Sequence, residues 1–160
     1  MLLLNLGSNI PPRHLHLDKA IEALRTLIPG TFVISEIYES EPWGYDSSRQ
    51  FLNVGVLIHP DNPDLTPLGV LRLTEQAQAT VDPSPHRDSA GNYIDRKIDI
   101  DIIAIDSLIL STPRLTLPHP RMHLRPFVLT PLASLAPLWR HPQLGLTAAE
   151  MLDRLTSTSQ

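Results

Sequence analysis

Residues 96–103 read Arg-Lys-Ile-Asp-Ile-Asp-Ile-Ile, a run in which charged and apolar side chains alternate. Alternation with a period of two is typical of a β-strand that buries one of its faces. In such a strand Asp99 and Asp101 point to one face, and the isoleucines beside them point to the other. Strict alternation also places Arg96 on the isoleucine face, opposite Asp99.

The aspartate pair on this strand needs compensation of its charge. Two carboxylates side by side on a buried strand repel each other and lose hydration. Arginine or lysine side chains could compensate them, and so could a metal ion. Hard carboxylate oxygens favour Mg²⁺, which usually binds together with phosphate groups. The alternative is a half-exposed edge strand whose aspartates are simply solvated, and these eight residues alone leave both interpretations open.

The composition is that of a globular protein, and it excludes several classes of function. With 160 residues, 42% of them hydrophobic and 19% charged, the chain predicts one domain over residues 1–160 with a sizeable core. The net charge of −4 argues against nucleic acid as a partner, because a phosphate backbone requires a basic surface, but it permits a small phosphate ligand. The absence of cysteine excludes disulfides, thiolate metal sites and a cysteine nucleophile.

The N-terminal region does not resemble a targeting signal. Residues 1–6 are too short and too uncharged at their start for a signal peptide, and no apolar run approaches the length of a membrane span. We therefore expect a cytoplasmic, monomeric protein that acts on small molecules, with neither a membrane nor a nucleic-acid partner.

Hydrophobic patterning predicts the element order β-α-β-β-α-β. The predicted strands cover residues 2–6, 31–39, 51–59 and 96–103, and the predicted helices cover about 17–28 and 67–80. The pattern then predicts a hairpin (108–110 with 114–117), a helix over 127–135 interrupted at Pro131, a final helix opened by a Thr147–Glu150 capping box, and a frayed end at 157–160. Two helices against a four-stranded, mainly antiparallel sheet form an α+β, ferredoxin-like sandwich, here with an added hairpin and C-terminal helices.

Several loop and strand residues are candidates for ligand binding. Trp43 lies in a loop and can be either a core plug or the wall of a pocket for a flat ligand. Asn53 lies within an apolar strand and needs partners for its amide, either a heterocycle or the backbone. The long loop 81–92 is a candidate lid, with His86 and Arg87 as its charged residues.

Charged residues near the second helix and in the C-terminal third suggest an anion site. Arg114, Arg121 and Arg125 lie close together in a chain with few other basic residues, although a solvated linker is the alternative.

Glu75 lies in the C-terminal half of the second helix, where a negative charge is mildly unfavourable, and this hints at a nearby cation.

Five motifs occur in a familiar order along nearly the whole chain. They are Gly7-Ser8-Asn9, residues 38–44 (Tyr-Glu-Ser-Glu-Pro-Trp-Gly), Phe51-Leu52-Asn53, residues 95–101 (Asp-Arg-Lys-Ile-Asp-Ile-Asp) and residues 117–122 (Leu-Pro-His-Pro-Arg-Met). Together they resemble the 6-hydroxymethyl-7,8-dihydropterin pyrophosphokinase family of the folate pathway. The resemblance implies transfer of a pyrophosphoryl group from ATP to the hydroxymethyl group of the dihydropterin, with release of AMP.

The resemblance also implies roles for individual residues. Asp99 and Asp101 would hold two Mg²⁺ ions that bridge the ATP phosphates, and the catalytic group would be completed by Arg96 and Arg87. The implied pterin site comprises Ser40, Glu41, Trp43, Phe51, Asn53 and Phe127, with the pterin between the two phenylalanine rings. The implied ATP site comprises Glu75, Tyr93, Arg96, Ile102, Arg114, Leu115, Thr116, His119 and Arg125.

The chain departs from the common pattern of this family at two places. Many members carry Gly-Arg-x-Arg just after the second helix, where this chain reads Ala-Thr-Val-Asp-Pro at 79–83. The arginine role then falls to Arg87 or is unfilled. The common Gly-Pro before the strand's arginine is Ile94-Asp95 here. The rival interpretations are another ATP- and Mg²⁺-dependent transferase on this fold and a non-catalytic, ferredoxin-like ligand-binding module.

Overall fold

A five-stranded antiparallel sheet forms the centre of the structure, which a computed structural model describes for residues 1–159. Its strands are β1 (Leu2–Ser8), β2 (Gly30–Ile34), β3 (Tyr38–Ser40), β4 (Phe51–Pro60) and β5 (Asp99–Ile105). A separate hairpin pairs β6 (Leu110–Ser111) with β7 (Thr116–Leu117). The helices are α1 (Arg13–Leu27), α2 (Pro67–Val81), α3 (Pro126–Leu135) and α4 (Ala148–Thr158), and a 3₁₀ turn covers Met122–Leu124.

The strand order of the sheet confirms the ferredoxin-like prediction. The order is β2-β4-β1-β5, with β3 paired to β4, and every pair is antiparallel. Strand β1 lies between β4 and β5, so Leu4 faces Val56 on one side and Ile102 on the other. The two helices α1 and α2 pack on the same face of this sheet, as the β-α-β-β-α-β order requires.

The two faces of the sheet are covered to different extents. On one face, α1 and α2 cover the side chains of Leu4, Leu6, Val56 and Ile100 in a continuous apolar core. On the other face, α3 and α4 pack over Leu3, Leu57 and Ile103 at one end of the strands only. The other end of this second face, which includes Asn53, Asp99 and Asp101, lines a cavity.

The prediction of one continuous strand over residues 31–39 is wrong, because the structure has two strands there, β2 and β3. At the break, the backbone N–H of Gly55 donates to the hydroxyl of Ser35 (2.8 Å), and the N–H of Ser35 donates to the carbonyl of Gly55 (3.0 Å). A side chain therefore replaces a backbone acceptor in the ladder, and the chain bends before it pairs again as β3.

The predicted start of the aspartate strand is also wrong, because β5 begins at Asp99. Side-chain oxygens from elsewhere accept the backbone N–H groups that precede it: Asn9 Oδ1 binds Arg96 N (2.8 Å) and Asp82 Oδ2 binds Lys97 N (3.0 Å). Since residue 96 lies outside the strand, alternation does not govern its direction. Arg96 consequently lies on the aspartate side, with its guanidinium 3.4 Å from Asp99 Oδ2.

The C-terminal elements follow the prediction with two corrections. Helix α3 continues through Pro131, which is buried, and a methyl group on Gly55 would lie only 2.9 Å from Pro131 Cβ. This close packing against a glycine offsets the hydrogen bond that proline cannot make. The capping box is confirmed by the Thr147–Glu150 hydrogen bonds, but α4 stays helical to Thr158 rather than fraying from 157. Residue 160 lies outside the described residues.

The hairpin prediction is confirmed with shorter strands of two residues each. Within residues 1–159, no helix combines the length and apolar character needed to cross a membrane.

Candidate active site

The uncovered end of the second sheet face forms the floor of a cavity of about 270 Å³. Register explains why polar residues from three strands meet there: Gly7 of β1 faces Asn53 of β4 and Asp99 of β5, and Asn5 faces Asp101. Residues from the loops and from α3 complete the lining. These are Ser40, Glu41, Trp43, His86, Arg87, Tyr93, Arg96, His119, Arg125 and Phe127, together with Phe51 at the start of β4.

Asp99 and Asp101 share one face of β5, as alternation predicts, with side chains 27% and 29% exposed. Arginines compensate their charge: Arg96 lies 3.4 Å from Asp99, and Arg125 lies 3.4 Å from Asp101. The Nδ1 atom of His86 lies 3.7 Å from Asp99 Oδ1. Although β5 is an edge strand, its aspartates line a cavity and form ion pairs, so simple solvation does not describe them.

The two carboxyl groups differ in their electrostatics. Burial, together with the charge of Asp99, raises the pKa of Asp101 to about 7. Burial also opposes ionisation of Asp99, but the neighbouring His86 and the charge of Arg96 outweigh it and lower the pKa of Asp99. At neutral pH the free protein therefore holds one fully ionised carboxylate beside a second that is only partly ionised.

This donor set fits Mg²⁺. Its two carboxylates are hard oxygen ligands, and the described residues contain no group of three or more His, Cys, Asp or Glu side chains arranged to hold a metal. A site with two protein carboxylates leaves the remaining positions to water and substrate phosphates, which is the coordination that Mg²⁺ favours. Because residues 1–159 contain no such group of three or more ligands, a zinc site closed by protein side chains is excluded there.

Two buried guanidinium groups point into the cavity beside the aspartates. Arg125 is 7% exposed, and the Nε atoms of Arg96 and Arg125 are buried without a hydrogen-bond partner in residues 1–159. Each group also lies near aromatic rings: Arg125 is 4.4 Å from the centre of Trp43, and Arg96 is 5.5 Å from that of Phe51. Unused N–H donors on buried cations suit an anionic ligand. The solvated-linker alternative is therefore wrong for Arg125.

The residues predicted for the pterin all line this cavity. The ring centres of Trp43 and Phe127 lie 4.4 and 5.8 Å from the Arg125 guanidinium, and Phe51 is the first residue of β4. The amide nitrogen of Asn53 donates to the carbonyl of Tyr38 (3.0 Å) and to the hydroxyl of Ser40 (2.8 Å). Protein acceptors thus hold the amide nitrogen, and the carbonyl oxygen of the side chain is available to a ligand.

Most residues predicted for ATP line a second cavity of about 290 Å³, which shares Asp101 and His119 with the first. Its other lining residues include Ile102, Arg114, Leu115 and Thr116. Glu75 forms an ion pair with Arg114 (3.4 Å), whereas Tyr93 and Arg96 line the first cavity. The predicted ATP residues therefore divide between the two adjoining cavities, except for Glu75, which lines neither and contacts Arg114 of the second.

His119, at the boundary of the two cavities, is neutral in the free protein. Burial and the nearby charge of Arg125 lower its pKa to about 4. Its Nδ1 accepts the backbone N–H of Arg121 (3.1 Å), so Nε2 carries the proton and can donate to a ligand.

Arg87 lines the first cavity but is engaged within its own loop. Its guanidinium lies 4.0 Å from the centre of the Tyr93 ring and donates to the carbonyl of Gly91 (2.8 Å). It can therefore approach an anion only together with Tyr93 or by releasing these contacts.

Two cavity residues were not assigned a role from the sequence. His86 was noted only as a charged loop residue. Its Nδ1 lies 3.7 Å from Asp99 and 3.2 Å from the amide nitrogen of Gln78. Asn5 was missed, although an isolated amide within the apolar run 2–6 is the same signal that identified Asn53. Its Oδ1 is buried and makes no hydrogen bond within the described part of the chain.

Comparison with known proteins shows which family this chain resembles. Residues 3–137 match the family model described as 7,8-dihydro-6-hydroxymethylpterin-pyrophosphokinase. A Porphyromonas gingivalis protein named 2-amino-4-hydroxy-6-hydroxymethyldihydropteridine pyrophosphokinase is 38% identical over 145 residues, which are 89% of this chain and 95% of that protein. A Bacillus subtilis protein of the same name is 37% identical over 131 residues, covering 81% of this chain and 74% of that protein.

A solved structure supports the fold. The crystal structure of an HPPK-DHPS protein in complex with substrates superposes with a TM-score of 0.74 at 14% identity. The match covers 98% of this chain and 43% of that one, so this chain spans less than half of the solved protein. The family match over most of the chain and the two curated relatives together show that the chain belongs to the 7,8-dihydro-6-hydroxymethylpterin-pyrophosphokinase family.

Proposed function

We propose that the two adjoining cavities carry the reaction of this family, in which the pyrophosphoryl group of ATP is transferred to the hydroxymethyl group of 6-hydroxymethyl-7,8-dihydropterin and AMP is released. This is an ATP-dependent diphosphotransferase reaction of folate biosynthesis. The observation that carries the proposal is the Asp99–Asp101 pair, which lies between two buried arginines on the floor of a cavity with aromatic walls.

The pterin binds in the first cavity. Phe51 and Phe127 provide flat apolar surfaces for a bicyclic ring, and Trp43 closes the side next to Arg125. The free carbonyl oxygen of Asn53 accepts a hydrogen bond from the edge of the ring, and the chain at Ser40 and Glu41 borders the same edge. Burial of the ring between aromatic walls also keeps the hydroxymethyl group in one orientation.

The nucleotide binds across both cavities. Ile102, Leu115 and Thr116 border the adenosine in the second cavity, with Arg114 and Glu75 paired at its side. His119, at the boundary, donates from Nε2 to a phosphate oxygen. The triphosphate then extends into the first cavity toward Asp99 and Asp101, where Tyr93 lies against Arg87 and Arg96.

The phosphates meet the charged floor of the first cavity. Asp99 and Asp101 would hold two Mg²⁺ ions, which would supply neutralisation of the charge on the phosphate oxygens. Arg96 and Arg125, which each form an ion pair with one of these aspartates, would bind the transferring group through their guanidinium N–H donors. Transfer of this kind depends on alignment and charge neutralisation, so the protein needs only to hold the hydroxyl in line with the β-phosphorus.

One domain over residues 1–160 carries the full site, because the proposed residues border two cavities that share lining residues, apart from Glu75, which is ion-paired with Arg114 of the second cavity. The substrates are small molecules, and no second subunit is needed to complete the lining, so we propose a cytoplasmic monomer.

The decisive experiment is incubation of the purified protein with ATP, Mg²⁺ and 6-hydroxymethyl-7,8-dihydropterin. We expect AMP and the pterin pyrophosphate to form in equal amounts, and we expect Asp99→Asn and Asp101→Asn to abolish both products while the fold is retained. Asp61→Asn, which changes an exposed carboxylate at the opposite end of the sheet, is the matched control and should retain full activity.

Two other results would change the assignment. Substrate binding without AMP, unaffected by Mg²⁺ or by Asp99→Asn, would favour a non-catalytic ligand-binding module. AMP formation with a different flat alcohol, but not with the pterin, would favour another transferase on this fold.

A further inference from the structure

Three loops around the first cavity meet at one buried side chain, Asn9. Its amide nitrogen lies within hydrogen-bond distance of the Tyr45 hydroxyl (3.0 Å), the Arg49 carbonyl (3.2 Å) and Asp95 Oδ1 (2.8 Å). The Tyr45 hydroxyl in turn donates to Asp95 Oδ1 (3.1 Å). We name the group formed by Asn9, Tyr45 and Asp95 the loop junction.

The loop junction also binds the backbone next to the aspartate strand. Asn9 Oδ1 accepts the N–H of Arg96 (2.8 Å), and the N–H of Asn9 donates to the carbonyl of Arg96 (3.2 Å). Asn9 is 1% exposed, and protein groups bind both the amide nitrogen and the Oδ1 atom of its side chain. Asn9 therefore binds both backbone polar groups of Arg96, its N–H and its carbonyl.

Charge strengthens the contacts of the loop junction. Although burial opposes ionisation of Asp95, hydrogen bonds from Ser47, Asn9 and Tyr45 lower its pKa. Burial and the neighbouring Asp95 carboxylate raise the pKa of Tyr45 to about 12. At neutral pH the junction thus contains an ionised carboxylate that accepts from a neutral phenol and an amide, and such charge-assisted bonds are stronger than neutral ones.

Residues on both sides of the first cavity are close in sequence to the loop junction. Trp43 precedes Tyr45 by two residues, and Arg96 follows Asp95 directly. The two loops also touch through their aromatic rings, since the centres of Tyr45 and Tyr93 lie 6.4 Å apart. Gly44 has a φ of +84° and lies beside the Tyr93 ring, so the chain turns sharply between Trp43 and Tyr45.

We propose that Asp95 and Tyr45 are positioning residues that link the loop bearing Trp43 to the segment bearing Arg96. Through this link the pterin side and the phosphate side of the first cavity reach their binding geometry together. The inference rests on the proposed function, because it assigns the two sides to pterin and to phosphate. It also gives a role to Asp95, one of the positions at which this chain departs from the common pattern of its family.

The test uses two conservative substitutions and their combination. Tyr45→Phe removes only the hydroxyl, and Asp95→Asn removes only the charge, so the cavity lining stays intact. For each protein, calorimetry measures the Kd of a non-hydrolysable ATP analogue with Mg²⁺ and, separately, the Kd of a pterin substrate analogue. Asp61→Asn is the control for loss of an exposed carboxylate.

We expect each single substitution to weaken both ligands by roughly tenfold, since a charge-assisted hydrogen bond is lost. The double variant should be no weaker than either single variant, because both changes break the same link. Amide hydrogen exchange at Arg96 should accelerate in all three variants. Unchanged Kd values in folded variants, an effect on one ligand only, or losses that add in the double variant would each overturn the inference.

This design separates the inference from the proposed function. If the unsubstituted protein forms AMP and the variants bind both ligands normally, only the positioning role fails. If the unsubstituted protein forms no AMP, the proposed function fails. In that case the exchange rate at the Arg96 amide still tests the link, with unchanged exchange in the variants counting against it.

Discussion

Asn5 lies directly opposite Asp101 across the β1–β5 pair, and the Oδ1 atom of Asn5 is buried without a hydrogen-bond partner in residues 1–159. A buried polar atom without a partner destabilises the folded state by about 1–3 kcal/mol. Because Asn5 also lines the first cavity, a bound ligand or an ordered water can satisfy this atom. Stability in the free protein is therefore reduced at a position that contributes to binding.

We accordingly expect Asn5→Leu to raise the midpoint of thermal unfolding and to weaken substrate binding. The leucine removes the unsatisfied acceptor at similar volume, and the substrates lose a polar contact, for a loss of roughly tenfold in affinity. Differential scanning calorimetry and calorimetric Kd values measure the two effects. A lower unfolding midpoint together with unchanged affinity would contradict both expectations.

The raised pKa of Asp101 predicts a pH dependence of stability. Its pKa rises from an ordinary value of 3.8 to about 7 in the folded protein, despite the attraction of Arg125. Between these two values the folded state binds a proton that the unfolded chain does not. The free energy of unfolding therefore falls as the pH rises through this window.

Asp101→Asn should remove this loss of stability. Without Mg²⁺ at pH 8, we expect the variant to unfold roughly 3–6 °C above the unsubstituted protein, and at pH 4 we expect the difference to be small. Thermal unfolding across this range measures the effect, with Asp61→Asn as the matched carboxylate control. Lower stability of Asp101→Asn at pH 8 would show that the Arg125 ion pair outweighs the repulsion from Asp99.

Phe127→Ala should weaken pterin binding far more than ATP binding. Loss of an aromatic wall removes stacking and buried apolar area, so we expect the Kd of the pterin to rise by roughly tenfold to a hundredfold. The Kd of an ATP analogue should change by less than about threefold, because the proposed contacts of the adenosine lie in the second cavity and do not include stacking on Phe127. Phe32→Ala, on the edge strand β2 away from the cavities, serves as the control. Equal losses for both ligands would argue against stacking on Phe127.

Arg87→Ala tests whether this loop arginine serves the phosphates. We expect kcat/KM to fall by roughly tenfold, the effect of losing one charge-assisted contact. Arg87→Lys should rescue little, because an ammonium group does not reproduce the planar stacking of the guanidinium on Tyr93. Steady-state kinetics with varied ATP measures the change. An unchanged rate in Arg87→Ala would mean that Arg96 and Arg125 are sufficient.

Residues 96–103 separate what a local pattern can predict from what it cannot. Alternation correctly placed Asp99 and Asp101 on one face, because the direction of a strand residue depends only on its position in the strand. The same rule misplaced Arg96, because the strand had not yet begun there. Its backbone N–H is bound by Asn9, 87 residues away, and the next N–H is bound by Asp82.

The amino-acid sequence by itself determined the order of the elements, the faces of the strands and the motifs that identify the family. These features follow from periodicity and from residue types at short spacing. Only the tertiary structure decided that Arg96 meets Asp99, that His86 approaches the same carboxylate and that Asn9 joins Tyr45 to Asp95. His86 and Asn9 reach their partners from distant parts of the chain, and Arg96 takes its direction from the bond between its N–H and Asn9, 87 residues away. Such long-range pairings have no periodic signal in the chain.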